Sequence, residues 1–218
     1  MDIGTLFTEQ RWNILRNLAF EKTCPLDLSK KTNTTMANIS QQLRLLEASD
    51  IVKKEKISNR DKGKPRTLFS LSNDYAYIIS AMEGFAEKKL KKLDKFNQIL
   101  FRAWFIDSPE LEYFTKKFIW TIENAVDDID FIALRDYGSQ ARVLIASKKP
   151  DSVQKKVKDS VIKKYDNSSK DFKIDVVSNE SAEKLVKQGK GIFSSLNEAY
   201  VLYDSLMLTA KYGKRGGS

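Results

Sequence analysis

No histidine occurs among the 218 residues. That absence excludes Ser-His-Asp and Cys-His nucleophile systems, His-ligated zinc and histidine general bases together, and leaves carboxylates, lysines and hydroxyls for any chemistry. The one cysteine, Cys24, cannot form an internal disulfide, and its type favours a small buried apolar residue over a nucleophile. With only four prolines and 41% hydrophobic residues, the composition is not that of a disordered chain. No apolar run approaches the roughly 20 residues of a membrane-spanning helix, and the opening MDIGTLFTEQRW lacks a basic-then-apolar export pattern. A cytoplasmic protein without a membrane partner is expected. Acid is the scarcer charge: 29 acidic residues against 38 basic ones give a net charge of +9. That balance favours polyanionic partners such as nucleic acid or an anionic membrane surface, and charge alone does not choose between them.

A chain of this length holds one large domain or two small ones, and its character changes near residue 106. From Thr8, TEQRWNILRNLAF places Trp12, Leu15, Leu18 and Ala19 along one side of a helix, with Thr8 as its cap. After Pro25 comes a short helix, LDLSKKT, and then NTTMANISQQLRLLEASDIV. In that segment Met36, Ile39, Leu43 and Leu46 recur at helical spacing behind Thr35, while Ala37, Asn38, Ser40, Gln41 and Arg44 face the other way. Amides, hydroxyls and one arginine, with no acid before Glu47, suit the floor of a major groove: Asn and Gln bond adenine edges, Arg reaches guanine or phosphate. The same face is equally readable as an ordinary solvated one.

The next stretch, IVKKEKISNRDKGKPRTLFSL, reads as strand, turn, strand around a tip holding Asn59, Asp61, Gly63 and Pro65. Lys53, Lys54, Lys56, Arg60, Lys62, Lys64 and Arg66 outnumber Glu55 and Asp61 in it, so the ribbon can lie along phosphates. On these residues the segment from about 5 to 72 resembles the winged helix-turn-helix regulators of the ArsR-like kind, through LSKKTNTTMANISQQLRLLEASDIV followed by the wing. That family's reading helix ends in Leu-x-x-Leu-Glu and an apolar step, matched by Leu43, Leu46, Glu47 and Ile51-Val52. Asp50 replaces the usual glycine before the step and tolerates the left-handed conformation required there. The metal-binding cysteines and histidines of arsenic-sensing members are missing. The resemblance implies double-stranded DNA as partner, with Thr35, Asn38, Ser40, Gln41 and Arg44 at bases or positioning the helix, and Lys54, Lys56, Arg60, Lys62, Lys64 and Arg66 on phosphates.

After Ser72, NDYAYIISAMEGFAEKKLKKLDKFNQILFRAWF reads as one long helix with apolar Ile78, Met82, Phe85, Leu93, Phe96 and Leu100 and a lysine-rich outer face. Such a stripe needs covering, either by its own wing domain or equally by a second copy, and the resemblance to dimeric winged regulators makes a homodimer holding two half-sites at fixed separation the expectation.

Residues 108 to 124 read as helix; DFIALRDY as strand, Gly138-Ser139 as turn, ARVLIAS as strand, VQKKVKDSVIKKY as helix, DFKIDVVS as strand, SAEKLVKQ as helix and AYVLYDS as a short apolar stretch. The strand, the Gly-Ser turn and the later KIDVVS…EKLVKQGKGIFSSLNEAYVLYDS resemble the minimal nucleotidyltransferase domain. There the turn grips nucleotide phosphates, two aspartates one residue apart on the next strand bind metal, and a third acid sits on a later strand. In this chain Gln140 and Arg142 fall where the two aspartates would stand, and only Asp175 falls near the third. An amide and a guanidinium do not hold magnesium. The resemblance therefore implies a non-catalytic domain without cofactor or metal, with Gly138, Ser139, Arg142 and Asp175 as ligand or nucleotide contacts. The Gly-Ser pair is also readable as a plain hairpin turn in an unrelated α/β domain.

The reading as a whole is an α+β protein: a winged helix-turn-helix over 1–72, a linker or dimerisation helix over 73–106, a small α/β nucleotidyltransferase-like domain over 107–212 and a flexible tail over 213–218. It is expected to act as a sequence-specific regulator whose second domain serves sensing of a small-molecule or protein effector, partner contact or oligomerisation. The alternatives are an active nucleotidyltransferase using Asp130, Asp136 and Asp175, and a DNA-organising protein without sequence preference.

Overall fold

The computed structural model of the chain describes residues 7–57, 66–189 and 196–213. It is an α+β protein in two units, Met1–Leu93 and Asp94–Ser218, so the division falls at 93/94 and neither at 72/73 nor at 106/107. Among the described residues no helix is long and apolar enough to cross a membrane.

The first unit begins with α1 (Glu9–Leu18), α2 (Pro25–Lys31) and α3 (Met36–Ala48). Helix α1 buries Ile14, Leu15 and Leu18; Trp12 and Ala19, expected on the same side, are exposed, and Trp12 instead lies beneath the Arg16 guanidinium at 5.8 Å. Thr8 receives Trp12 N through its carbonyl at 2.8 Å, but its side chain makes no cap bond. Helix α3 buries Ile39, Leu43 and Leu46 completely. Met36, assigned to that stripe by spacing, is 54% exposed because it is the first residue of the helix and stands at the mouth of a groove, past the end of the core.

The end of α3 explains the step into the ribbon. Asp50 adopts φ +56°, Asp50 N donates to Glu47 O and Ile51 N to Leu46 O, both at 3.0 Å. This pair of bonds satisfies two terminal carbonyls and turns the chain so that Ile51 packs beside Leu46 in the core. Strands β1 (Val52–Ile57) and β2 (Arg66–Leu71) then pair antiparallel. Thr23, between α1 and α2, exchanges both backbone hydrogen bonds with Phe69 of β2, at 3.1 and 2.8 Å, and so ties the helices to the ribbon.

The expected long helix over 73–106 does not form. Its first part is a hairpin, β3 (Tyr75–Met82) and β4 (Phe85–Lys92), paired from Tyr75↔Lys92 to Met82↔Phe85. Tyr, Ile and Met at short spacing fit a pleated strand, and Glu83-Gly84 closes the turn with Gly84 at φ +75°, a conformation that glycine adopts freely and that no helix interior uses. Only the last part is helical: α4 (Lys95–Ala103), capped by Asp94, whose carboxylate accepts from Asn97 N at 2.8 Å. Helix α4 belongs to the second unit.

That unit continues with α5 (Pro109–Thr121), a 3₁₀ turn (Glu123–Asp128), β5 (Phe131–Tyr137), β6 (Gln140–Ser147), α6 (Pro150–Lys156), β7 (Ser160–Lys163), β8 (Ser169–Ser178), α7 (Asn179–Gln188), β9 (Tyr200–Asp204) and α8 (Leu208–Tyr212). The sheet order is β7-β8-β6-β5-β9, with β6 and β8 parallel and the other pairs antiparallel. Alternate residues face opposite layers. Ile132, Leu134, Val143, Ile145 and Phe172 pack with α4, α5 and α6, and Phe172 stacks on Phe118 at 4.5 Å. Phe131, Ala133, Leu144 and Ala146 pack with α7 and α8. The single helix expected over 153–165 stops at Lys156; Val161 and Ile162 lie in β7, whose residues alternate between half-buried and exposed, as β-branched residues in a strand do.

A left-handed cap at residue 50 predicts asymmetric responses to substitution. Asp50→Val lowers the unfolding free energy by about 1–2 kcal/mol, whereas Asp50→Gly leaves it unchanged or raised in urea unfolding. Equal losses in both variants contradict this account of the cap.

Candidate nucleic-acid interface

Burial of one side of α3 fixes what its other side presents. Ala37, Gln41, Arg44 and Ala48 are exposed at i, i+4, i+7 and i+11, a single stripe along the helix. Gln41 and Arg44 have no hydrogen-bond or ionic partner among the described residues. The other expected contacts are already engaged. Thr35 caps α3, its hydroxyl accepting from Asn38 N at 3.2 Å. Ser40 donates to Met36 O at 2.8 Å. The Asn38 amide donates to Thr34 Oγ1 at 3.3 Å and accepts from Gln42 Nε2 at 3.1 Å, and Gln42 accepts from Arg11 Nε at 2.6 Å. This chain of bonds joins α3 to α1, so Asn38 orients the helix while Gln41 and Arg44 are free to contact a ligand.

The ribbon cations divide between its faces. Lys54 and Lys56 alternate with Glu55 along β1, and Arg66 stands opposite Ile57, on the other face. Lys54 is paired with Glu47 at 2.9 Å. Glu55, hydrogen-bonded to Lys22 at 2.8 Å, is held below the usual carboxylate range by that lysine. Lys56 and Arg66 are exposed without an ionic partner among the described residues. Arg60, Lys62 and Lys64 lie outside the described residues. Arg66 also lines a groove with Cys24, Leu26, Lys30, Met36 and Ser40, and in it the half-buried Cys24 thiol donates to Asp27 at 3.1 Å. Exposed Met36 and Leu26 give this groove an apolar floor edge beside two cations. Sequence spacing assigned Met36 to the core; only its position at residue one of α3, directly after the capping Thr35, signals otherwise.

In the second unit Gly138 and Ser139 form a two-residue turn between the paired Tyr137 and Gln140, with Gly138 at φ +76°. The turn is held from beneath by Lys170, which is buried and donates to Asp136 at 2.7 Å and to Gly138 O at 2.6 Å. Asp171 N donates to Ser139 O at 3.0 Å. No sequence signal separated Lys170 from its many exposed counterparts. Gln140 and Arg142 share one sheet face with Asp171, Lys173 and Asp175 of β8, which run parallel beside them. Arg142 stands between Arg135 and Lys173. Arg135 pairs with Glu198. Lys173 pairs with Asp171 and Asp159, each at 3.3 Å, and those bonds, Asp171 foremost, raise its pKa. Arg142 and Asp175 are exposed, and Arg142 has no partner among the described residues.

The carboxylates that an enzyme reading requires do not converge. Asp130 precedes β5, accepting from Lys148 N at 3.1 Å and Asn179 at 2.9 Å; Asp136 is at the far end of β5, on Lys170; Asp175 is on β8. Comparison with known proteins gives no match, either to a family model or to a curated protein.

The buried lysine yields a direct test of the turn. Lys170→Met leaves Gly138 O and Asp136 without their donor and lowers stability by about 2 kcal/mol; Asp136→Asn then has a smaller effect in that background than in the wild type. Additive effects in a double-mutant cycle contradict the coupling.

Proposed function

We propose that the chain is a cytoplasmic, sequence-specific DNA-binding transcription regulator, with α3 entering the major groove of double-stranded DNA and the β1–β2 ribbon lying along its backbone. The observation that carries this reading is the stripe Ala37–Gln41–Arg44–Ala48: small at both ends, polar and cationic between, free of acids and of internal partners. Small residues permit close approach, Gln41 offers an amide to adenine and Arg44 a fork to guanine or phosphate. Lys56 and Arg66 neutralise phosphates, with Arg60, Lys62 and Lys64 assigned the same role by sequence. The order of helices, left-handed cap and ribbon, with Thr23 bridged to Phe69, supports a winged helix-turn-helix. Met36, exposed beside Ser40 and Arg66, adds an apolar contact for a thymine methyl group.

The second unit is a non-catalytic module of nucleotidyltransferase type. Its support is the turn, the neighbouring strand and a parallel third strand with Gln140 and Arg142 in place of paired acids. Gly138, Ser139, Arg142 and Asp175 are its contacts for an anionic effector such as a nucleotide, and Arg142, beside the turn, has no counter-charge among the described residues.

Fluorescence anisotropy with a duplex selected from a random pool, set against random duplex, tests the reading. Arg44→Ala weakens binding to the selected duplex by about 10–100-fold and much less to random duplex. Lys56→Ala and Arg66→Ala weaken both alike, and each reduces the slope of log K against log salt by about 0.9. A specificity ratio near unity for the wild type supports instead a DNA-organising protein. Incorporation of labelled nucleotide with magnesium or manganese, lost in Asp175→Ala, supports an enzyme.

A further inference from the structure

The β3–β4 hairpin is built unlike the rest of the protein. Among the described residues β3 and β4 pair only with each other, and every described side chain on both faces is at least partly exposed. Ile79 is 70% exposed, Met82 63% and Phe85 46%. At its base Tyr77 stacks on Phe7 at 4.8 Å, and the Tyr75 hydroxyl donates to Asp50 O at 3.3 Å. Beyond that anchorage it is a two-stranded ribbon of a kind only marginally stable alone.

Its two edges differ. Strand β4, FAEKKLKK, carries Lys88, Lys89, Lys91 and Lys92, the charge with which exposed edge strands are guarded against pairing. Strand β3, YAYIISAM, has no charged residue and no proline, so its outward amides and carbonyls are an unguarded template for another strand. We propose that this edge of β3 pairs antiparallel with the same edge of a second copy of the chain, across a two-fold axis near Ile79.

Charge selects that occupant. Each copy carries +9, so self-association is opposed wherever lysine faces lysine. Pairing β3 with β3 of the partner copy joins the uncharged edges and puts the two lysine strands at the outer margins of a four-stranded sheet. Three strand spacings separate them, about 14 Å, which is beyond a Debye length of about 8 Å at physiological salt. An axis perpendicular to the sheet keeps equivalent faces on one side, so Ile79 meets its own copy and Tyr77 meets Ala81, both apolar encounters. The homodimer expected from a long helix thus acquires a different surface, and it does so independently of any DNA contact.

Light scattering of the full chain at micromolar concentration is expected to give a dimer, and Ile79→Lys a monomer with an unchanged circular dichroism spectrum. In a Cys24→Ala background, Ile79→Cys is expected to give a disulfide-linked dimer on mild oxidation, because residue 79 directly opposes its own copy and directly opposed strand residues fall within disulfide reach; Lys89→Cys on the outer strand is not. A wild-type monomer overturns the proposal. So does a dimer that persists in Ile79→Lys with no cross-link at 79, and so does equal cross-linking at Lys89→Cys.

Discussion

Burial of Ile39, Leu43 and Leu46, none of which retains any exposure, is the constraint on which the rest of the first unit depends. With those three side chains fixed in the core, the helical period dictates that residues 37, 41, 44 and 48 point away from it. The composition of that outward stripe then becomes informative: an amide and a guanidinium stand on it with small residues at either end. Rotation of α3 about its axis is further resisted by the Arg11–Gln42–Asn38–Thr34 bonds. The role proposed for α3 requires side chains held within a fraction of an ångström, and a helix anchored on one side by packing and on its flank by hydrogen bonds meets that demand.

Each unit combines matched cations with unmatched ones. In the second, Lys173 is matched by Asp171 and Asp159 and Arg135 by Glu198, the buried Lys170 supports the Gly138-Ser139 turn, and Arg142 keeps its charge unpaired among the described residues. Its carboxylates are consumed in structural bonds or dispersed along different strands. In the first, Lys54 and Lys22 are matched, while Arg44, Lys56 and Arg66 keep their charge unpaired among the described residues. Unpaired cations at an exposed surface are the groups that exchange counterions for phosphates.

Much of the architecture was legible in the residues. The α2–α3 pair, the β1–β2 ribbon, the left-handed Asp50 and the order strand, turn, strand, strand, helix of the second unit all follow from periodicity and turn chemistry. The region after Ser72 was misread because apolar residues three and four apart in YAYIISAMEGFAEKKL satisfy a helical stripe, while aromatic and β-branched content and Gly84 favour a hairpin; only pairing of β3 with β4 decides between them. Residues 153–165 were misread for the same reason, since Val and Ile there fit either period. The outward placement of Gln41 and Arg44 follows from the pattern, but the internal bonds of Asn38 and Ser40 do not, because a side chain on a helix can turn to its own neighbours without changing the spacing that sequence reveals. Met36 and Lys170 were missed because burial of a single side chain depends on where an element ends or what lies beneath it.

The central claim is that the outward stripe of α3 reads base edges in the major groove. Methylation interference on a duplex selected from a random pool tests it most directly. The account predicts that methyl groups at guanine N7, in the major groove, block binding at discrete positions, and that Arg44→Ala removes the block at one or more of them. Interference confined to adenine N3 in the minor groove, or a pattern identical in wild type and Arg44→Ala, contradicts it.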